Sequence, residues 1–294
     1  MKKRSFLLLL ILLLAFFIIS TNFASVKAIQ YWHKDTETKG NWIEKVNATW
    51  HQRYGSDGYI LCAYDSQGHR NEVWQESFDR KKLPSYIASY NVSGTGEADA
   101  DPLPLGTAGV WTVTAPTSDE RALVDPYLVD ENDPQVLEKR KNTHWFTTPY
   151  CSEEALLSVE LKFSPEACDK YFHLSLYFLD ADQHRKLNVT LTDEDPSNSQ
   201  SVSVVIEPEE TSGGVYLVFT VYGPTKLAIR LFAGYNCNPC ISGIFIDDAS
   251  LPVPPNVIPE VPLGTVIAGA SMITALVAYL TVPSLRRKKR YMQH

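Results

Sequence analysis

Aromatic, carboxylate and guanidinium side chains crowd together between residues 40 and 59, GNWIEKVNATWHQRYGSDGY. A sugar ring is apolar on its C–H faces and polar at its hydroxyls. An aromatic face flanked by Asp and Arg is therefore the arrangement that would hold one. Trp42, Arg53, Tyr54 and Asp57, with Trp111 further along, are the candidates for that role. The same stretch admits a structural reading in which Trp42 plugs one end of a sandwich. Gly55 and Gly58 read as turn glycines with positive φ or as points of close approach. Asp57-Gly58 reads as the turn that leads into a strand at Tyr59.

Catalytic chemistry finds no frame. A glycosidase needs two placed carboxylates, and 34 acidic residues supply chance pairs without any recognisable motif. No GxSxG, HExxH or phosphate-binding loop occurs. His33, His51, His69, His144, His173, His184 and His294 are scattered without ligand spacing, and His173 reads as a half-buried strand residue. The expectation is a protein that is not an enzyme.

Cys151 and Cys168 are the expected disulfide, with Cys237 and Cys240 closing a tight loop or exchanging partners with them. A four-cysteine zinc site is the alternative, although zinc ribbons show two CxxC knuckles and this chain shows one. Cys62 lies in an apolar run and reads as a buried free thiol. Asn47, Asn91 and Asn188 each begin an Asn-x-Ser/Thr sequon and are candidate glycan acceptors.

These residues need a scaffold, and the chain reads as all-β. LLSVELKF, YFHLSLYFLD and KLNVTLTDE alternate with period two. In the latter two, Phe172, Leu174, Leu176 and Phe178, then Leu187, Val189 and Leu191, are apolar on one face, as in an antiparallel hairpin with Asn188 pointing outward. SVSVVIE, GGVYLVFTVYGP, TKLAIRLFAGY and CISGIFIDD supply further strands, with YILCAYD, SYIASYNVSG and AGVWTVTAP in the first half. Close strand spacing without a long amphipathic helix indicates a β-sandwich or jelly roll. Residues 117–150 are polar and acidic, and read as an insertion with at most a short helix near Pro134–Lys141.

The ends place this body. Lys2, Lys3 and Arg4 precede an apolar run from Phe6 to Ile19, so residues 1–28 read as a signal peptide with cleavage after Ala28, or as an uncleaved anchor. Residues 29–250 form the expected ectodomain, and 251–262 a proline-rich stalk. No charge occurs from Val261 to Val282, which is long enough to cross a membrane, and the spanning helix is placed at 263–282. The tail 283–294, with Arg286, Arg287, Lys288, Lys289 and Arg290, marks the cytoplasmic side. The expected location is the cell surface, with one membrane pass. Residues 29–260 carry 18 Lys and Arg against 34 Asp and Glu, a formal charge of −16. That balance disfavours nucleic acid as a partner.

The order D-x-T-x-G-N-W (from Asp35) and Y-G-x-D-G-Y (from Tyr54), then LDADQHRKLNVTLTD, then GGVYLVFTVYG and ISGIFID resembles galactose-binding-like jelly-roll modules of prokaryotic extracellular proteins. The C-terminal PEVPLGT, apolar span and basic end are similar to the anchors of archaeal surface proteins. The resemblance implies a non-catalytic module for carbohydrate or a surface glycoprotein. It also implies a structural calcium where first and last strands meet, held by Asp35, Thr38, Asp247 and Asp248. The competing reading is a structural or adhesive surface protein without a sugar site. A cleft lined by Trp42, Tyr54 or Trp111 favours the first reading. The same aromatics buried favour the second.

Overall fold

The computed structural model describes residues 29–46, 49–66, 70–94, 107–126, 140–147, 155–180, 185–195, 199–233 and 238–249. The signal-like and membrane-like segments, the stalk and tail, Asn47, Cys151 and Cys237 lie outside the described residues. Among those described, no helix is long and apolar enough to cross a membrane.

Seventeen strands appear among the described residues. The first nine are β1 (Ile29–Asp35), β2 (Ile43–Val46), β3 (Thr49–Gln52), β4 (Gly58–Leu61), β5 (Arg70–Val73), β6 (Arg80–Lys82), β7 (Ile87–Gly94), β8 (Gly109–Thr117) and β9 (Arg140–Phe146). The others are β10 (Leu156–Phe163), β11 (Tyr171–Phe178), β12 (Leu187–Asp193), β13 (Gln200–Ile206), β14 (Val215–Tyr222), β15 (Lys226–Ala233), β16 (Cys240–Ile241) and β17 (Gly243–Asp248). Antiparallel pairing arranges them as a six-stranded sheet β1-β14-β11-β17-β4-β6 and a five-stranded sheet β13-β12-β15-β10-β7. A smaller sheet β16-β9-β8-β5 and the ribbon β2-β3 complete the set. The body is a β-sandwich, as the alternation predicts.

The core lies between the two large sheets. Phe172, Leu174 and Leu176 of β11, Leu217 and Phe219 of β14, and Ile244 and Ile246 of β17 face it from one side. Val159 and Leu161 of β10, Val189 and Leu191 of β12, and Ile229 and Leu231 of β15 face it from the other. Each such side chain taken fully out of water contributes about 1.5–3 kcal/mol.

One expectation is corrected here. β11 and β12 do not form a hairpin, because β11 pairs with β14 and β17 while β12 pairs with β13 and β15. Both strands bury one face in the same core, but from opposite layers. Alternation reports that a face is buried and not which sheet buries it. β14 and β15 cross between the sheets in the same way, the connectivity of a jelly roll.

The polar stretch 117–150 also contains more order than its composition announces. Arg140–Phe146 is a strand paired along β8, and its Trp145 is fully buried. The Trp145 indole donates to Asp79, a buried carboxylate that also accepts from Trp74, Tyr90 and the Ala63 amide. Burial pushes the Asp79 carboxyl up to about 6, against the opposing pull of those four donors.

Candidate functional site

The six-stranded sheet has a second face, opposite the core. Along β11 it carries Tyr171, His173, Ser175 and Tyr177, and along β14 it carries Tyr216, Val218, Thr220 and Tyr222. This outer face divides in two across its strands.

One half is sealed by an aromatic layer in which Trp42, Tyr59, Tyr64, Tyr177, Tyr216 and Phe245 pack with Leu123 and Val124. Trp42 is 0% exposed, its indole donates to the Val124 carbonyl at 3.0 Å, and its ring lies 4.9 Å from Tyr59 and 5.1 Å from Phe245. Trp42 therefore plugs the layer and offers no face to a sugar, which corrects its candidacy as a stacking platform. Two chain segments make the cover. Gly40 donates to the Glu120 carbonyl at 3.1 Å, and the fully buried Arg140 donates to the carbonyls of Glu120 and Ala122 and to Asn41 Oδ1.

The other sequence-nominated ligands sit at the rim of this half. Tyr54 stacks on Tyr216 at 4.2 Å, and its hydroxyl donates to Asp35 Oδ2 at 2.7 Å. Burial, then the Asp35 hydrogen bond, pushes the Tyr54 phenol far up. Arg53 Nη1 donates to Thr38 Oγ1 at 3.1 Å. Asp57 accepts the Tyr86 hydroxyl at 3.0 Å. Trp111 stands apart on β8, half-buried edge-on to Phe146. The structure thus gathers Arg53, Tyr54 and Asp57 on one loop and separates Trp111 from them. Gly55 carries φ of +75°, and a Cβ on Gly58 would meet Pro84 Cδ at 2.5 Å, so the two glycines serve one expected purpose each.

The calcium expectation meets carboxylates already engaged. Asp35 accepts from the amides of Glu37 and Thr38 and from the hydroxyls of Thr38 and Tyr54. Burial opposes its ionisation, yet these four bonds hold its carboxyl below the usual range. Asp247 accepts from the Gly55 and Ser56 amides at 2.9 and 2.7 Å, and Asp248 ends β17 in solvent. A cation needs lone pairs where these groups meet N–H and O–H hydrogens. Among the described residues, no cluster of His, Cys, Asp and Glu is arranged to hold a metal. Of the four expected ligands, Asp35 is the one whose two oxygens are each taken by two protein donors.

Cys168 is an exposed free thiol after the short turn Pro165–Ala167, and its expected partner Cys151 lies outside the described residues. Cys62 is a buried free thiol, as its apolar run predicts, and burial raises its pKa well above the ordinary value. Cys240 is buried beside Phe146. Asn91 and Asn188 are both exposed on strands of the five-stranded sheet.

The second half of the outer face is open. A bulge between Tyr31 and His33 inserts Trp32 into β1. Trp32 is 50% exposed, stacks on His173 at 4.4 Å and 21°, and meets His33 edge-on at 4.7 Å. Beside it, Thr220 Oγ1 lies 3.3 Å from His173 Nδ1, and Asp247 is the cross-strand neighbour of His173 on the other side. Burial lowers the His173 pKa, opposed by Asp247 and assisted by His33, which favours the neutral ring. One step further along the strands, Tyr171 and Tyr222 stack at 4.1 Å, and Gln30 is exposed opposite Thr220. This surface joins an exposed indole to amide, hydroxyl and phenol groups. Sequence reasoning missed all of it except Asp247 and the half-buried state of His173. The available signal was Trp32 itself, which breaks the alternation of IQYWHKD, together with the polar-aromatic side of YFHLSLYF.

No family model matches the chain, and no curated protein matches it. Among solved structures, the chain is similar to a carbohydrate-binding module of the β-sandwich superfamily described for promiscuous specificity, at 11% identity, 76% coverage of this chain, 85% of that one and a TM-score of 0.30. It is also similar to a family-61 carbohydrate-binding module solved with β-1,4-galactotriose, at 15% identity, 55% and 87% coverage and a TM-score of 0.26. A third similarity is to the enzymatically active domain of tailspike protein 4 of bacteriophage CBA120, at 16% identity and a TM-score of 0.29. It covers 55% of this chain, which spans only 19% of that tailspike chain. At these scores the likenesses assign neither a family nor a ligand.

Proposed function

We propose that the protein is a non-catalytic carbohydrate-binding module that reads its ligand on the open half of the outer face. The observation that carries this reading is Trp32, half exposed and held flat by His173. Its free face is an apolar platform for the C–H side of a sugar ring. Gln30, Thr220, Tyr171 and Tyr222 offer amide and hydroxyl partners for the sugar's own hydroxyls. The apolar termini support display of this module at the cell surface on a single membrane anchor, with carbohydrate or a surface glycoprotein as partner.

The test is a glycan array probed with the full chain, followed by titration of the best ligand. Trp32→Ala weakens binding at least tenfold, while Trp111→Ala leaves it within twofold. Unchanged binding in Trp32→Ala, or silence of the native chain across the array, overturns the assignment. The second reading, a structural or adhesive surface protein, draws support from the sealing of Trp42 and the half-burial of Tyr54 and Trp111.

A further inference from the structure

Among the described residues, the outer face of the five-stranded sheet carries large apolar side chains along one row. Asn188 on β12 lies directly between Val205 on β13 and Phe232 on β15, and Leu156 on β10 continues the row beyond Phe232. Directly opposed residues in antiparallel strands share a face and hold their Cβ atoms about 4.5–5.5 Å apart. Val205 is 45% exposed, one of the few large apolar side chains left in water among the described residues. Phe232 and Leu156 are partly exposed. The next row holds Ser203, Thr190, Arg230 and Ser158, and the one after it Ser201, Thr192, Ala228, Glu160 and Asn91. An exposed apolar row crossing an otherwise hydrophilic face calls for a cover. At its centre stands the asparagine of Asn188-Val189-Thr190.

We propose that Asn188 carries an N-linked glycan whose first sugar lies over Phe232 and Val205. In the transfer, Asn188 Nδ2 forms a bond to C1 of an oligosaccharide donated by a lipid-linked diphosphate. The C1–O bond to the diphosphate breaks, the lipid diphosphate leaves, and the amide loses one proton. The attached ring then sets its C–H face on the Phe232 ring and shields Val205 from water. Asn91 provides the internal contrast. It is an exposed sequon on the same face, but its neighbour is Glu160. A glycan there meets polar surface and adds little to stability.

The experiment uses the full chain made in cells that attach N-glycans. One version keeps only the Asn188 sequon (Asn47→Gln, Asn91→Gln), and the other keeps only Asn91 (Asn47→Gln, Asn188→Gln). Peptide mass spectrometry reads occupancy, and thermal melts are compared before and after enzymatic removal of the glycan. The expected result is an occupied Asn188 whose deglycosylation lowers Tm by about 2–4 °C, the shift of a roughly 1 kcal/mol effect in a domain of this size. The Asn91-only chain moves by less than half of that. Phe232→Ser removes the difference. An unoccupied Asn188, or equal Tm shifts at the two sites, overturns the proposal. The comparison of the two sequons stands whether or not the Phe232 variant folds.

Discussion

The two halves of one sheet face are built from the same residue types and end in opposite states. Tyr216, Tyr177 and Phe245 lie under a cover, while Tyr222, Tyr171 and Trp32 on the same strands or beside them are open to solvent. Neighbouring same-face residues on β14, from Tyr216 to Tyr222, thus pass from core to surface within one strand. The difference lies in the covering segments. Residues 36–43 and 119–125 cross the first half and are strapped there by Arg140 and by the Gly40–Glu120 backbone bond. Aromatic content therefore marks where a surface is apolar. It does not mark where a ligand has access.

The largest expected effect tests the seal. Trp42→Ala removes the plug and lowers stability by about 3–5 kcal/mol, read by denaturant unfolding. Trp32→Ala costs within about 0.5 kcal/mol, as for an exposed side chain. Equal losses would erase the distinction between the halves. Arg140→Met ranks next. It deprives the Glu120 and Ala122 carbonyls of their donor and costs about 2 kcal/mol, partly offset by relief from burying a guanidinium held by neutral oxygens. Its diagnostic consequence is faster hydrogen exchange confined to residues 36–43 and 119–125.

Acid distinguishes the halves by order. The His173 pKa lies below its ordinary 6.5, so its contribution is complete above that value and is lost as pH falls through the folded pKa. Asp35 is depressed below its ordinary 3.8, so its contribution is present above that value and is lost only at still lower pH. Acidification should disturb the Trp32 side before the sealed half, with Asp79, pushed up to about 6, titrating beside Trp74 and Trp145 in the same range, so His173→Gln should remove only the Trp32 part of the earlier phase. Simultaneous transitions would mean that the halves are one cooperative unit. The smallest effect is that of calcium. Because Asp35 and Asp247 already accept protein donors, calcium or a chelator should leave Tm unchanged. A rise of several degrees would show a cation displacing those donors.

Much of the framework is legible in the amino-acid order. Phe172, Leu174, Leu176 and Phe178 alternate and are buried, and Asn188 points outward as its neighbours predict. The role of Gly55 follows from a local backbone need, whereas that of Gly58 depends on the approach of Pro84. The site is far less legible. Trp42 and Trp32 are both tryptophans in polar, aromatic-rich surroundings, and their fates diverge through contacts with residues far along the chain. The lone carbonyl of Val124 and the ring of His173 carry no marker in the composition near either tryptophan. The expected β11–β12 hairpin fails for a related reason. Period two specifies a buried face, whereas sheet membership depends on strands elsewhere in the chain.

What the amino-acid order determined alone is the all-β body, the buried alternate positions and the outward Asn188, because these depend on φ, ψ and side-chain direction within a few residues. What only the tertiary structure decided is which aromatics remain in water. Exposure is a property of the whole packing, and two crossing segments, residues 36–43 and 119–125, turn a platform into core.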